Sequence, residues 1–429
     1  MERLISSKWF HLIISAVLAI SILLAYSNTF HAKFQFDDIL QIVDNQQLKD
    51  LGNLPEIIKN SRGLSFASFA VNYAISGNDT ISYHVVNVSI HIINAVLAYF
   101  FLLLTLRLIK SDEPWCRRIA AFSALIFALH PIQTQSVTYI VQRMESLFSL
   151  FYLVALLFFI KSSSASSMAK RVALYAGVAV SFILAVYSKE VAITLPGVVL
   201  LYDFFFLSKG SPKEIVKKWP LYFILAALFI FFAFSTFKLL GGAGDAGSGQ
   251  AITQAHAPAQ ESDATTLKAS KALPEHSAGF KQTYISPKEY LYTQFNVFVY
   301  YIALLAVPVN QNLDYDFPVA RSLFKAPVPN KGTILNIPML PPIVALAILL
   351  AIIGAGIYLY FRSRKGCGDA LAISFFIFWF FIILSPTSSF IPIIDVIYEH
   401  RVYLASLGLF TVFVICVDMA FGKIVKVKS

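Results

Sequence analysis

Charge is the scarcest thing in this sequence. Asp, Glu, Lys and Arg make up 14% of its 429 residues, where soluble domains carry roughly a quarter. A soluble fold of this length would have too few charges to cover its surface, so that class is excluded. Cysteine is nearly absent as well. Cys116, Cys367 and Cys416 are too scattered for a CxxC metal or redox motif, and no disulfide is expected among them. No Walker A, GxSxG or HExxH motif occurs, and no segment reads as a nucleotide-binding domain. Any energy for chemistry must then arrive with the substrate or from an ion gradient. Internal repeats and an appended soluble domain are missing too.

What fills the chain instead is apolar. Hydrophobic residues reach 57%, with 39 Phe, and the mean hydropathy is +0.69. Runs of about 18 or more nearly uncharged residues recur, each long enough to cross a hydrocarbon core of about 30 Å. The expected fold is an all-α polytopic membrane protein, one domain over 1–429, with about ten to eleven helices in the lipid bilayer. Spanning segments are expected near 10–27, 83–106, 119–131, 145–160, 172–187, 191–207, 219–240, 340–361, 370–387 and 402–421. The third is expected to run on as helix to about Val141. The first is expected to be a retained helix rather than a signal peptide, because its apolar run is long.

The net charge of +10 does not point to nucleic acid. Lys and Arg gather in the cytoplasmic loops of membrane proteins and orient them. Here the clusters Arg3/Lys8, Arg107–Arg118, Lys161–Arg171, Lys209–Lys218, Arg362–Lys365 and Lys423–Lys428 fall at alternate helix ends, which puts both termini inside. That assignment leaves 291–307 over. It is apolar, yet counting it as a span would throw the later basic clusters outside, so 289–339 is expected to be a re-entrant or interfacial segment and an outer loop. Two other long segments then face outside. The 28–82 segment should carry a short helix near 53–60, capped by Asn53 with Pro55 in its first turn. The 241–288 segment opens GGAGDAGSGQ and is expected to be a flexible loop.

Charges near membrane segments are costly, so those that persist are candidates for function. Four groups stand out, all expected on the outer side. Asp37-Asp38 is either a solvated loop pair or a base whose neighbour raises its proton affinity. His84, Asn87, His91 and Asn94 share one helix face, and either bond neighbouring helices or line a site. His130-Pro131 is followed by Arg143 and Glu145, which read either as an internal salt bridge or as a phosphate grip. Lys189-Glu190 and Tyr398-Glu399-His400-Arg401 complete the set. Interfacial snorkelling accounts for Lys189 alone, but not for so many charges at one depth. The histidines do not make a metal pair.

Six segments in order, FQFDDILQIVDN, YHVVNVSIHIINAVL, LHPIQTQSVTYIVQRMESL, YSKEVAITLPGVVLLYD, YYIALLAVPVNQNLDYDFP and SPTSSFIPIIDVIYEHRVYLASLG, resemble the GT-C membrane glycosyltransferases. The nearest likeness is to the TMTC-type protein O-mannosyltransferases and their bacterial relatives, from about Phe34 to Gly408. TMTC-type proteins usually add tetratricopeptide repeats, which these residues do not contain. The resemblance implies a donor sugar on polyprenyl or dolichyl phosphate and a protein or glycan acceptor. It further implies inverting transfer on the outer face of a bacterial plasma membrane rather than in the endoplasmic reticulum. No cofactor is required, although some GT-C enzymes use a divalent metal. By the same resemblance Asp37 is the catalytic base and Asp38 orients it or the acceptor. Arg143, Lys189 and Arg401 bind the lipid phosphate, supported by His84, His130, Glu145, Glu190, Glu399 and His400. The rival reading is a transporter or flippase of lipid-linked sugars, which favours broken helices in two corresponding halves.

Overall fold

A computed structural model describes residues 9–240, 279, 284–329, 335 and 338–428. Arg3, Lys8 and most of the 241–288 segment lie outside the described residues, as do the side chains of Lys423, Lys426 and Lys428. The described residues are mostly helical, with no strand among them. In chain order the long helices are α1 (Phe10–Ala25), α2 (Thr80–Arg107), α3 (Glu113–Leu129), α4 (Arg143–Ser163), α5 (Met168–Ser188), α6 (Glu190–Leu207), α7 (Trp219–Leu240), α8 (Pro287–Ala306), α9 (Pro342–Ser363), α10 (Gly368–Leu384) and α11 (Tyr403–Lys428). Seven helical stretches are both long and apolar enough to cross a membrane, and α1 and α10 are shorter apolar helices. The chain is a multi-pass membrane protein.

Local sequence sets the ends of these helices. Asp79 accepts from the Ile81 amide at 3.2 Å to start α2, and Asp112 accepts from the Trp115 amide at 3.0 Å to start α3. Ser286 and Glu289 form a capping box at α8, with Pro287 in the first turn. The third helix does not continue to Val141. It stops at Leu129 because Pro131 drives His130 into an extended conformation, ψ 131°. The chain then steps through short turns at Pro131–Gln133, Thr134–Thr138 and Ile140–Gln142 before α4 begins. The 28–82 segment also holds more than one short helix. Leu54–Lys59 is helical, but Asn53 does not cap it and instead donates to the Gln47 carbonyl. A second helix follows at Gly63–Ser76.

Helices in lipid associate through close packing and hydrogen bonds rather than through the hydrophobic effect. Gly408 allows such an approach between α10 and α11, since a Cβ there would lie 2.7 Å from the Phe376 carbonyl. Trp379 donates across the same seam to the Leu404 carbonyl at 3.0 Å. At the bundle end carrying Arg107 and Arg118, basic residues pair with acids. Arg117 meets Glu113 at 2.7 Å, Arg118 meets Asp418 at 2.8 Å and Lys218 meets Asp203 at 2.6 Å.

The opposite end, which carries Asp37, is built differently. There the 28–82 segment folds back on 139–144 around a small core of its own, including Ile42, Leu48, Ile57, Phe69, Tyr83, Ile140 and Met144. Helix α8 belongs to this end along its whole length. Tyr290 donates to the Thr387 carbonyl, Gln294 to Val396, Asn296 to Leu340 and Tyr301 to Tyr398, at 2.6 to 3.0 Å.

Candidate active site

The Asp37-Asp38 loop is tethered at three points. Asp38 is buried and accepts from the Gln35 amide at 3.0 Å and from the Val141 amide at 2.7 Å. The Asp37 amide donates to the Tyr139 hydroxyl at 2.8 Å. Upstream, His84 Nε2 lies 3.0 Å from the Ala32 carbonyl oxygen. Between these tethers Phe36 has φ 42°, a left-handed conformation that costs a bulky residue energy and persists only where its surroundings enforce it. Burial pushes the Asp38 carboxyl up to about 7; the neighbouring Asp37 charge adds to this, and the backbone amides oppose it. Asp38 thus positions the loop, and the half-buried Asp37 is the carboxylate next to it.

Cations gather beside this loop. Lys189, placed in extended backbone just after α5, lies 3.2 Å from Glu145. Arg62, at φ 59° just before the Gly63–Ser76 helix, donates from Nε to both Glu190 oxygens at 3.0 and 2.9 Å. Ser61 also bonds Glu190. Arg401 sits over the Tyr398 ring and donates to the Val396 and Asp395 carbonyls at 3.3 and 2.8 Å, with the Asp395 charge acting on it as well. These groups act on one another. Burial pulls the Lys189 ammonium down, with Arg62 and Arg401 pushing the same way and Glu145 opposing. The Glu190 carboxylate raises Arg62, with smaller contributions from Glu145 and Asp37. Arg62, Lys189, Arg401, Glu145, Glu190 and Asp37 therefore share one electrostatic neighbourhood.

Arg143 is not in it. Its Nε donates to Asn87 Oδ1 at 2.6 Å, its Nη1 to the Ser68 hydroxyl at 3.1 Å and its Nη2 to the Tyr83 carbonyl at 3.1 Å, under the Phe69 ring. The expected Arg143–Glu145 salt bridge does not form. Two residues apart on a helix, the side chains point to different faces, and Glu145 turns to Lys189 instead. Arg143, expected as a phosphate ligand, spends its bonds within the fold instead, bracing α2, α4 and the Gly63–Ser76 helix. The rest of the α2 stripe also stitches elements together. His91 meets Tyr403 at 2.7 Å and Asn94 donates to the Ser146 carbonyl at 2.7 Å. His130 accepts from the Ile132 amide at 3.2 Å, capping the turn after α3.

A cavity of about 320 Å³ opens between the Asp37 loop, the 134–139 turn and residues 311–313. Glu399 closes one wall. It accepts from Gln311 Nε2 at 2.6 Å, from the Asn312 amide at 2.8 Å and from the Tyr315 hydroxyl. Gln135 bridges the next two residues, accepting from the His400 amide at 2.8 Å and donating to the Leu313 carbonyl at 2.9 Å. Among the described residues no group of three or more His, Cys, Asp or Glu is placed to hold a metal ion.

Several known proteins are similar to the chain. It is 32% identical to protein O-mannosyl-transferase TMTC3 of Mus musculus over 218 residues, 47% of this chain and 22% of that protein. It is 30% identical to protein O-mannosyl-transferase TMTC2 of Homo sapiens over 220 residues, 48% of this chain and 25% of that protein. This chain resembles the TMTC protein O-mannosyl-transferases. It spans about a quarter of the length of these curated relatives. No family model matches, and no solved structure matches.

Several residues of this candidate site were not legible as such in the sequence. Arg62 lies in a polar stretch where a single Arg looks like ordinary loop surface. Its one signal is the turn composition of Asn60-Ser61-Arg62-Gly63. Tyr139, Gln135, Gln311, Asn312 and Tyr315 carry no charge and earn their places only through the fold.

Proposed function

We propose that the chain transfers a sugar from a polyprenyl-phosphate donor to a hydroxyl of a protein acceptor, with inversion, on the extracytoplasmic face of a bacterial plasma membrane. Asp37 takes the acceptor hydroxyl proton. The freed oxygen attacks the anomeric carbon from the side opposite the phosphate, and the carbon–oxygen bond to the phosphate breaks with its electron pair. Negative charge therefore moves from Asp37 to the leaving phosphate, and the total within the site stays constant. Arg62, Lys189 and Arg401 lie where that growing charge would be met, which is where fixed cations accelerate transfer most. The chain's own cations supply the positive charge, so the proposal needs no metal.

The observation that carries this reading is the juxtaposition of a tethered carboxylate with three clustered cations whose own acid partners are Glu145 and Glu190. The names of the relatives support mannose as the sugar and protein as the acceptor. Asp37→Asn in the purified full chain tests it. Transfer from polyprenyl-phosphate mannose should fall about 10²–10⁴-fold, the usual scale for a general base, while donor affinity holds. Near-normal turnover would remove Asp37 from the mechanism.

A further inference from the structure

We infer that the cavity walled by Asp38, Tyr139, Gln135 and Glu399 is the acceptor site, and that it receives an uncharged, hydroxyl-bearing peptide segment. This rests on the transferase reading above. The first argument is charge. The cavity is lined by two carboxylates, Asp38 and Glu399, and a single lysine, Lys33, which is exposed. Such a wall offers a phosphate no cation beyond Lys33. Both carboxylates are also saturated, Asp38 by two amides and Glu399 by Gln311, Asn312 and Tyr315. They shape the pocket without offering a free anion to a cationic ligand.

The second argument is connectivity. None of Arg62, Lys189 and Arg401 lines the cavity. A donor sugar is one bond from its phosphate and must stay beside those cations, so the cavity lies beyond the donor's natural place. Asp37 does not itself line the cavity, but its neighbour Asp38 does. Tyr139 lines the cavity, and its hydroxyl holds the Asp37 amide. The remaining polar wall, with Thr134 and Gln135, presents side-chain donors and acceptors of the kind that pair with a peptide backbone.

The test uses the purified full chain, a serine- and threonine-rich peptide bearing a photoreactive diazirine residue, and polyprenyl-phosphate mannose. Thr134 is exposed, and the bond it makes with Thr138 uses its backbone carbonyl, so Thr134→Trp fills the cavity without disturbing packing. Peptide crosslinks should map to 134–139 and 311–313. Thr134→Trp should abolish them and raise the acceptor KM about tenfold, with donor affinity unchanged, the pattern of lost acceptor binding. Lys33→Glu, at an exposed rim position, should shift preference away from acidic peptides and towards basic ones. Crosslinks elsewhere, or parallel loss of donor binding in Thr134→Trp, would overturn the assignment. An inactive wild type that still gives the mapped crosslinks would remove the transferase reading and leave the peptide site standing.

Discussion

The buried Arg143 and the cluster of Arg62, Lys189 and Arg401 lie at the same end of the bundle and are held in different ways. Around Arg143, every partner is already in place: Asn87, Ser68 and Tyr83 take its hydrogen bonds inside a small core closed by Phe69. Around Arg62, Lys189 and Arg401, the acids Glu145 and Glu190 serve two of the cations, and Arg401 rests on backbone carbonyls. The first arrangement is complete without a ligand. The second sets its cations among carboxylates, where a change of charge on any one group is felt by the others. The difference teaches that hydrogen-bond partners and charge partners are separate: Arg143 has the first without the second, while Arg62 and Lys189 have carboxylates beside them.

The comparison breaks most sharply at Arg143. Arg143→Ala strands the Asn87, Ser68 and Tyr83 acceptors, and should cost roughly 3–5 kcal/mol of stability. Donor affinity in the surviving protein should be unchanged. Thermal unfolding and polyprenyl-phosphate mannose binding on one preparation measure both, and weakened donor binding would place Arg143 back in the site. Arg401→Ala should differ in its effect on the ligand. Melting temperature should fall here too, because the Val396 and Asp395 carbonyls lose their donor, but donor Kd should also rise about ten- to a hundredfold, the scale of one or two charge-assisted hydrogen bonds.

Asp38 sharpens the contrast by the smallest step. It is a buried acid saturated like Arg143, with its pKa raised to about 7 chiefly by burial. A raised carboxyl pKa means that the fold favours the protonated form. The associated stability is present in full below the unfolded value near 3.8 and is lost as pH rises to about 7. The loss is about 1.4 kcal/mol per pH unit inside that window. Melting temperature against pH should therefore slope downward through it, and Asp38→Asn should flatten the slope. An unchanged slope in Asp38→Asn would show that another group titrates there.

Much of this was legible in the linear sequence. Long uncharged runs and scarce charge require a helical membrane bundle, because backbone polar groups in lipid must be satisfied within helices. The cost of charge near the membrane also singled out Asp37, Asp38, Lys189 and Arg401. Helix boundaries followed local rules where a cap or a proline fixed them, as at Asp79, Asp112 and Ser286. At Leu54–Lys59 the boundary held with Pro55 in the first turn, but the Asn53 side chain bonds the Gln47 carbonyl instead of capping the helix.

The sequence by itself determined the class of fold and the residues whose burial would be expensive. Only the tertiary structure decided who compensates each of them. Arg143 and Glu145 are two positions apart and look like a pair, yet the helix turns them to different faces and gives them to different partners. Arg62 and Glu190 are 128 positions apart and do form a pair. The cost of burying a charge is a property of the side chain, visible in one dimension. Its compensation depends on distance and direction in space, and those exist only once the chain has folded.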